Sequence, residues 1–381
     1  MPKILLVIPW SPLHPAGVSV VIRNLFEQYQ AMGQAAQICQ DDWGCRHPRA
    51  GEADVVMLRF GVLGGTTPLA LLKSLLSAPG HLARLARWLD RSEVACVNFH
   101  YVGLGALSIA CLKSLGLFRG RLVLSFHGTD VNSPADPIAR KLLAFTLRKA
   151  DTLTFCSRAL LEKAVKVFGF RHPDGRAIYN GVNTAVFHDG LEPYPGLPAR
   201  YIVQVGSFIP RKRQVFLTQV FLGLAADYPD LHLVLIGMEG PELSKVRALA
   251  AGQGCDGRLH TLMNLSPEDV ARIVSNATVC VQPSDSEPFG IATIEAGACA
   301  VPVVASRVEG HLETLADGES GLLFDVDDHA ACASAIRQIL DDRRAATQLA
   351  RRLQARVREQ FTWEHCAGEY ARACAPTAVT S

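Results

Sequence analysis

The feature that most constrains this chain is an alternation repeated along it: a short apolar run, a loop, an amphipathic stretch, another short apolar run. In the first half the apolar runs fall at residues 4–8, 54–58, 94–99, 122–126 and 152–156. Helical spacing lies near 18–32, 68–88, 104–117, 138–149 and 158–168. Short runs without polar alternation read as strands covered on both faces, as in a parallel sheet. Parallel neighbours need crossover connections, and the intervening helices supply them. The spacing therefore predicts an α/β fold of doubly wound parallel sheets. Ligands of such sheets sit beyond the carboxyl ends of the strands, so the loops after the runs carry the chemistry.

With 381 residues the chain is long enough for about two to three domains. Hydrophobic residues make up 49% and charged residues 19%, which suits packed cores and argues against disorder. Three prolines and two glycines within residues 189–198 mark a linker. The expected division is a first domain over 1–188, the linker 189–198, a second domain over 199–360, and a closing helix and tail over 361–381. No apolar run reaches the length of a membrane span. The opening residues 1–9 read as the first strand, not as a signal peptide. The 11 cysteines include no C-x2-C pair and mostly sit in apolar segments, so they are expected to be buried, reduced thiols. Residues 1–190 hold 21 cations and 13 anions, a net +8, and residues 191–381 a net −6. The two halves are therefore expected to meet different partners.

The most informative stretch is 278–328. Val279-Cys280-Val281 reads as a strand, residues 283–288 as a polar loop, residues 290–298 as a helix, and Pro302-Val303-Val304-Ala305 as the next strand. A helix N-terminus presents unpaired N–H groups and partial positive charge, which suits a phosphate, and Gly290 lets a ligand come close to the backbone. Glu287 lies just before this junction and Glu295 about a turn and a half into the helix. Two carboxylates so placed suit hydrogen bonds from sugar hydroxyls on either side of a bound phosphate. For an isolated pair with this spacing, two solvated glutamates near a helix start are the plainer reading. After the run 201–205 comes Gly206-Ser207-Phe208-Ile209-Pro210-Arg211-Lys212-Arg213. Adjacent cations between a strand and a helix suit a diphosphate, Arg as a fork and Lys as a point charge.

Glu287-Pro288-Phe289-Gly290, Ile294-Glu295-Ala296, Val301-Pro302-Val303-Val304, Gly310, Glu313 and Gly321-Leu322-Leu323 stand in order and without gaps. Together they resemble the donor-binding motif of retaining glycosyltransferases of family 4. That resemblance covers nearly the whole chain and is sharper in the second half. It implies the GT-B fold: two Rossmann-like domains facing across a cleft, with C-terminal helices crossing back to the first. It also implies a nucleoside-diphosphate sugar as donor, UDP ahead of GDP. Glu287 then contacts the transferred sugar and Glu295 the ribose. Phe289, Gly290 and Ile291 form the phosphate-facing junction, Arg211 and Lys212 hold the diphosphate, and Met263 and Asn264 lie by the base. His127, in His127-Gly128-Thr129-Asp130, is implied to reach the sugar or its leaving phosphate, with Asp130 bracing the loop or capping the next helix. Gly17 would bring backbone N–H groups to a phosphate, or simply make a turn. His100 is read either as lining the acceptor cleft or as packing. Two positions depart from the family pattern: Ala16 stands where a glycine is usual and Ser207 where an arginine is usual.

The implied reaction transfers a hexose with retention to a hydroxyl of a glycan or lipid-linked acceptor, in exopolysaccharide, capsule or lipopolysaccharide assembly at the cytoplasmic face of a membrane. A nucleotide-sugar epimerase or hydrolase and a non-catalytic nucleotide-sugar-binding subunit stay open as alternatives. No metal is expected: Asp325-Val326-Asp327 has the D-x-D pattern, but the resemblance implies only a loop leading to a helix at this place, and Arg211, Lys212 and the helix N-terminus supply the charge for the diphosphate. No nucleic acid is expected as partner. Residues 68–91 interleave Leu, Ala and Trp with Lys73, Arg84, Arg87 and Arg91. That pattern fits either a peripheral contact with an anionic membrane or an ordinary surface helix pair broken at Pro79-Gly80.

Overall fold

A computed structural model describes residues 3–13, 17–41, 55–62, 68–132, 134, 136–251 and 255–375. By contacts the chain divides into two units, Met1–Tyr179 with Trp363–Ser381, and Asn180–Thr362. Expectations for Asp54, for Ala16 and for the tail 376–381 fall outside the described residues.

The first unit holds β1 (Lys3–Ile8), α1 (Gly17–Ala31), β2 (Ala36–Asp41), β3 (Val55–Leu58), α2 (Pro68–Arg91), β4 (Val94–His100), α3 (Leu107–Ser114), β5 (Arg121–Phe126), α4 (Pro137–Lys149), β6 (Thr152–Phe155), α5 (Arg158–Phe168) and β7 (Gly175–Ala177). Its seven strands are all parallel, in the order β3-β2-β1-β4-β5-β6-β7. The central strands are buried almost end to end, as in β1 and β5, which is why they show in the sequence as unbroken apolar runs. Local signals set the helices. Asp136 accepts from the amides of Ile138 and Ala139 ahead of Pro137, and Ser157 caps α5, which ends on left-handed Gly169. The spacing does not predict β2 or β7, the one half-polar and the other only three residues long.

One alternative for residues 68–91 is overturned: α2 runs unbroken through Pro79. A helix-interior proline costs about 3 kcal/mol. Burial of Ser74 before it and of Leu82, Leu85 and Leu89 after it keeps one face against the protein.

The second unit holds β8 (Tyr201–Val205), α6 (Gln214–Leu224), β9 (His232–Gly237), α7 (Leu243–Ala251), β10 (Leu259–Met263), α8 (Pro267–Ser275), β11 (Val279–Gln282), α9 (Ile291–Ala298), β12 (Val303–Ser306), α10 (Glu309–Thr314), β13 (Leu322–Phe324), α11 (His329–Asp341) and α12 (Arg343–Gln360). Its six parallel strands run β10-β9-β8-β11-β12-β13. One core gathers Phe208, Phe216, Phe221, Val279, Val281 and Ile336. The proline-rich stretch is fastened to α8: Arg272 donates to Glu192 O and Pro193 O, and Asn276 to Leu191 O.

Of the two closing helices, α12 belongs to the second unit and packs on α9. Phe361-Thr362 breaks the helix. The last helix, α13 (Trp363–Cys374), belongs to the first unit, where Trp363, Cys366 and Tyr370 join the core of β1, α1 and β4. None of the ten described cysteines is in a disulfide, and all but the half-buried Cys111 are buried.

Candidate active site

In each sheet the strand order reverses once, between β1 and β4 and between β8 and β11. Connections leave in opposite directions at such a point, which opens a crevice at the carboxyl ends of the strands. Polar groups gather at both places.

In the second unit, β8 is followed by a 3-10 turn, Pro210–Lys212, after which Arg213 takes a left-handed φ of 57° and α6 begins. This turn meets the loop that leaves β11. Lys212 Nζ pairs with Glu287 Oε2. Arg211 Nη1 donates to Ser286 O at 3.1 Å, and Asp285 N donates to Arg211 O at 3.1 Å. The pair is largely buried, with side chains 16% (Lys212) and 12% (Glu287) exposed. Burial by itself raises the Glu287 carboxyl, but Lys212, His311 and Arg211 outweigh it and hold it below the usual range. The group is therefore an anion among cations.

The same loop leads into α9. Gly290, at φ 99°, stands at its N-cap with no side-chain cap. The amides of Thr293 and Ile294 turn back to Gly290 O at 3.0 and 3.4 Å. The first turn, starting at Ile291, carries the partial positive charge of a helix N-terminus. The Phe289 ring is buried edge-on to Phe361, so only its backbone serves the junction. Glu295 lies one turn further in. Burial pushes its carboxyl up to about 7, against the opposing pull of Lys212.

Glycine is required twice around this loop. A Cβ on Gly290 would stand 3.1 Å from His311 Cδ2, in a backbone region that disfavours side chains. A Cβ on Gly310 would stand 2.5 Å from Glu287 O, the atom that accepts the Gly310 amide at 2.8 Å. Thus α10 backs the loop directly. His311 on that helix is 1% exposed, and its Nδ1 donates to Ser306 O at 3.0 Å. Burial holds it below its usual range although Glu287 pulls it up. Sequence reasoning missed His311; its signal was a titratable ring directly after Gly310.

Met263 and Asn264 end β10 at the sheet edge, two strands from β8. Met263 packs against the core, and exposed Asn264 has a left-handed φ of 57°. They are not brought into contact with the Lys212–Glu287 cluster. The D-x-D carboxylates are engaged by arginines, Asp327 by Arg213 and Asp325 by Arg307 at 3.5 Å.

At the first unit's reversal, Trp10 after β1 and Tyr101 after β4 meet edge to face with centroids 4.8 Å apart. Tyr101 Oη lies 2.9 Å from Thr129 Oγ1. His127, directly after β5, is partly exposed, and its Nε2 lies 3.0 Å from Nδ1 of His100, which is wholly buried. Of the two readings of His100, packing against its neighbours is the one found. Asp130 braces the loop: its carboxylate accepts from the amides of His127, Gly128 and Val102 at 2.7–3.2 Å. Burial raises that carboxyl to about 6 against these amides, and burial lowers His127 to about 4. Gly17 opens α1, is exposed, and has nothing within 4 Å of a built Cβ, so crowding does not demand glycine there.

The second cluster thus offers cations, a helix N-terminus and carboxylates at one strand edge, which suits an anionic group bearing hydroxyls. The first offers neutral rings and hydroxyls.

Comparison with known proteins places this arrangement. The sequence model described as "Glycosyl transferases group 1" matches residues 196–360, and that described as "Glycosyltransferase Family 4" matches residues 15–186. A D-inositol 3-phosphate glycosyltransferase of Nocardioides sp. is 34% identical, over 92% of this chain and 83% of its own. A GDP-mannose-dependent alpha-(1-6)-phosphatidylinositol monomannoside mannosyltransferase of Mycolicibacterium smegmatis is 30% identical, over 78% of this chain and 80% of its own. Among solved structures, a sucrose-phosphate synthase from Thermosynechococcus elongatus superposes with TM-score 0.77 at 24% identity, over 98% of both chains. Anabaena Alr3699/HepE in complex with UDP-glucose superposes with TM-score 0.73 at 17% identity, over 98% of this chain and 99% of that one. These structures share the GT-B fold with its two parallel sheets. The chain belongs to the family 4 glycosyltransferases and carries the group 1 glycosyltransferase domain in its second half.

Proposed function

We propose that this glycosyltransferase moves a hexose from a nucleoside-diphosphate sugar to a hydroxyl of a glycan or lipid-linked acceptor, with retention at the anomeric carbon. The observation that carries this reading is the Lys212–Glu287 pair, with Arg211, against the N-terminus of α9 at the reversal of the second sheet. In this reading Arg211, Lys212 and the amides around Gly290 and Ile291 meet the charge of the leaving diphosphate, a preorganised electrostatic stabilisation. Positive charge from these groups makes a metal unnecessary for that step. Glu287 accepts from the transferred sugar, Glu295 from the ribose, and Met263 and Asn264 lie by the base. Phe289 contributes backbone, and Gly17 an amide. His127 contacts the sugar or its leaving phosphate.

Glu287 is already held by Lys212, and among the described residues no other carboxylate stands out as a nucleophile, so a front-face step fits best. The leaving phosphate oxygen takes the acceptor proton as the C–O bond to the nucleotide breaks and the new glycosidic bond forms on the same face. The relatives' names include GDP-mannose, and one superposing structure holds UDP-glucose. Both are nucleoside-diphosphate sugars; UDP is favoured here. A relative named for a phosphatidylinositol mannoside favours a lipid-linked acceptor. The exposed Lys73, Arg84, Arg87 and Arg91 of α2, with Leu76 78% exposed, fit peripheral contact with an anionic membrane on its cytoplasmic face. No helix among the described residues is long and apolar enough to cross one. Assembly of a surface polysaccharide is the corresponding role.

The test is donor turnover by the purified protein. UDP-, GDP- and ADP-sugars are offered without acceptor and nucleotide release is followed, with Glu287→Ala and Lys212→Ala alongside. Slow release from one donor, lost in both variants, is expected. A product sugar still attached to its nucleotide, or binding without release after lipid-linked acceptors are added, contradicts the reading.

A further inference from the structure

The pair His100–His127 carries an assignment that follows from where protons can go. The two rings stack at 21° with centroids 5.2 Å apart, and His100 Nδ1 lies 3.0 Å from His127 Nε2. One of these nitrogens must carry the proton and the other the lone pair. His100 has zero exposure, and its remaining nitrogen, Nε2, is buried without a hydrogen-bond partner. If His127 were the donor, the His100 proton would sit on Nε2 as an orphaned buried N–H, which folded proteins rarely contain. If His100 is the donor from Nδ1, its Nε2 keeps only an unused lone pair, a smaller penalty. A charged His100 with both nitrogens protonated would bury a cation; burial and the neighbouring His127 both act against it.

We infer that His100 is a positioning residue for His127: it donates from Nδ1 to His127 Nε2 and so fixes the His127 proton on Nδ1. His127 Nδ1 makes no hydrogen bond within the described residues. The side chain therefore offers its ligand one N–H and no lone pair. It serves as a neutral hydrogen-bond donor to an oxygen, a sugar hydroxyl or a phosphoryl oxygen, and not as a base. The backbone of the same residue is held independently, its amide by Asp130. The ring and the peptide are thus oriented by two different neighbours. This assignment deepens the proposed contact between His127 and the donor and rests on that reading for its role in catalysis.

Two readouts test it. In the wild-type protein with 15N-labelled histidine, NMR assigned with His127→Gln and His100→Asn reports which nitrogen of His127 is protonated; Nδ1 is expected. In kinetics, His100→Leu removes the donor, whereas His100→Asn keeps an N–H where Nδ1 was. His100→Leu is expected to lower kcat about tenfold with little change in donor KM, and His100→Asn to recover most of it. A His127 proton found on Nε2 overturns the inference, as does a folded His100→Asn protein as impaired as His100→Leu. The NMR measurement stands on the wild type even if His100→Leu fails to fold. If the proton is on Nδ1 but His127→Ala leaves turnover unchanged, the assignment holds and the proposed contact with the donor is what fails.

Discussion

At the reversal of the second sheet the gathered groups are ions. Lys212, Arg211 and Glu287 are held to one another across two loops, with a helix N-terminus beside them. At the reversal of the first sheet the gathered groups are neutral, a histidine pair, aromatic rings and hydroxyls, and the Asp130 carboxylate is turned inward onto amides. The same topology thus carries two electrostatic designs. Partly buried charges are tolerable only when paired, so the cluster of ions in the second unit must come as a set. Neutral groups need only hydrogen-bond partners, so the histidine loop is set by the contact of His127 with His100 and by the amides that donate to Asp130. Damage should therefore spread within the ionic cluster and stay local in the neutral one.

The largest effect is expected from Lys212→Ala. It removes the cation proposed for the diphosphate and leaves Glu287 buried without its partner. Turnover should fall about a thousandfold, and unfolding free energy by about 3 kcal/mol, read from denaturant titration. His127→Ala should cost turnover only about ten- to a hundredfold with stability nearly unchanged. A His127→Ala protein destabilised as much as Lys212→Ala would break the contrast.

Next in size is Glu287→Gln, which keeps the shape and removes the charge. Stability should drop less than in Lys212→Ala, because an unpaired Lys212 reaches solvent more readily than an unpaired carboxylate. Donor turnover should still be lost.

A smaller effect separates the carboxylates by pH. Glu295 is raised to about 7 when folded. The folded state then keeps a proton that the unfolded chain releases, so this contribution is full below the unfolded value and is lost as pH rises through about 7. Glu287 is depressed, so its contribution is present above the unfolded value and lost on acidification. Thermal unfolding of Glu295→Gln against pH should show a shallower decline between about 4.5 and 7 than the wild type. Nucleotide affinity should be weaker in the same variant, because an ionised carboxylate is the better acceptor for a ribose hydroxyl. A variant that unfolds with the wild-type pH profile would remove Glu295 from this account.

The smallest expected change is Gly290→Ala. Its cost comes from the left-handed backbone and the close approach to His311, about 1–2 kcal/mol by thermal or chemical unfolding. Loss of less than that would mean the loop shifts to accommodate a methyl group.

The sequence was most legible where chemistry and fold coincide in a short span. The strand, loop, helix and strand of residues 278–306 could be read because a doubly covered strand is a plain apolar run and a helix start needs a glycine here. The Lys212–Glu287 pair could be anticipated only as two separate phosphate and sugar contacts, since 75 residues separate them. Strands β2 and β7 were not legible: one mixes apolar with polar residues and the other is three residues long. His311 was missed because its importance lies in what its ring touches, Ser306 and the back of Gly290, which no local pattern encodes. The role of His100 likewise depends on a contact 27 residues away. The helix through Pro79 shows burial overriding a local breaker.

The most direct measurement is a calorimetric titration of a nucleoside diphosphate and of its nucleoside into wild-type protein and Lys212→Ala. The account predicts that wild-type protein binds the diphosphate more tightly than the nucleoside and that Lys212→Ala loses most of that difference, while nucleoside binding is unchanged. Equal diphosphate affinity in the two proteins would contradict the claim that the ionic cluster at the second sheet's reversal is the donor site.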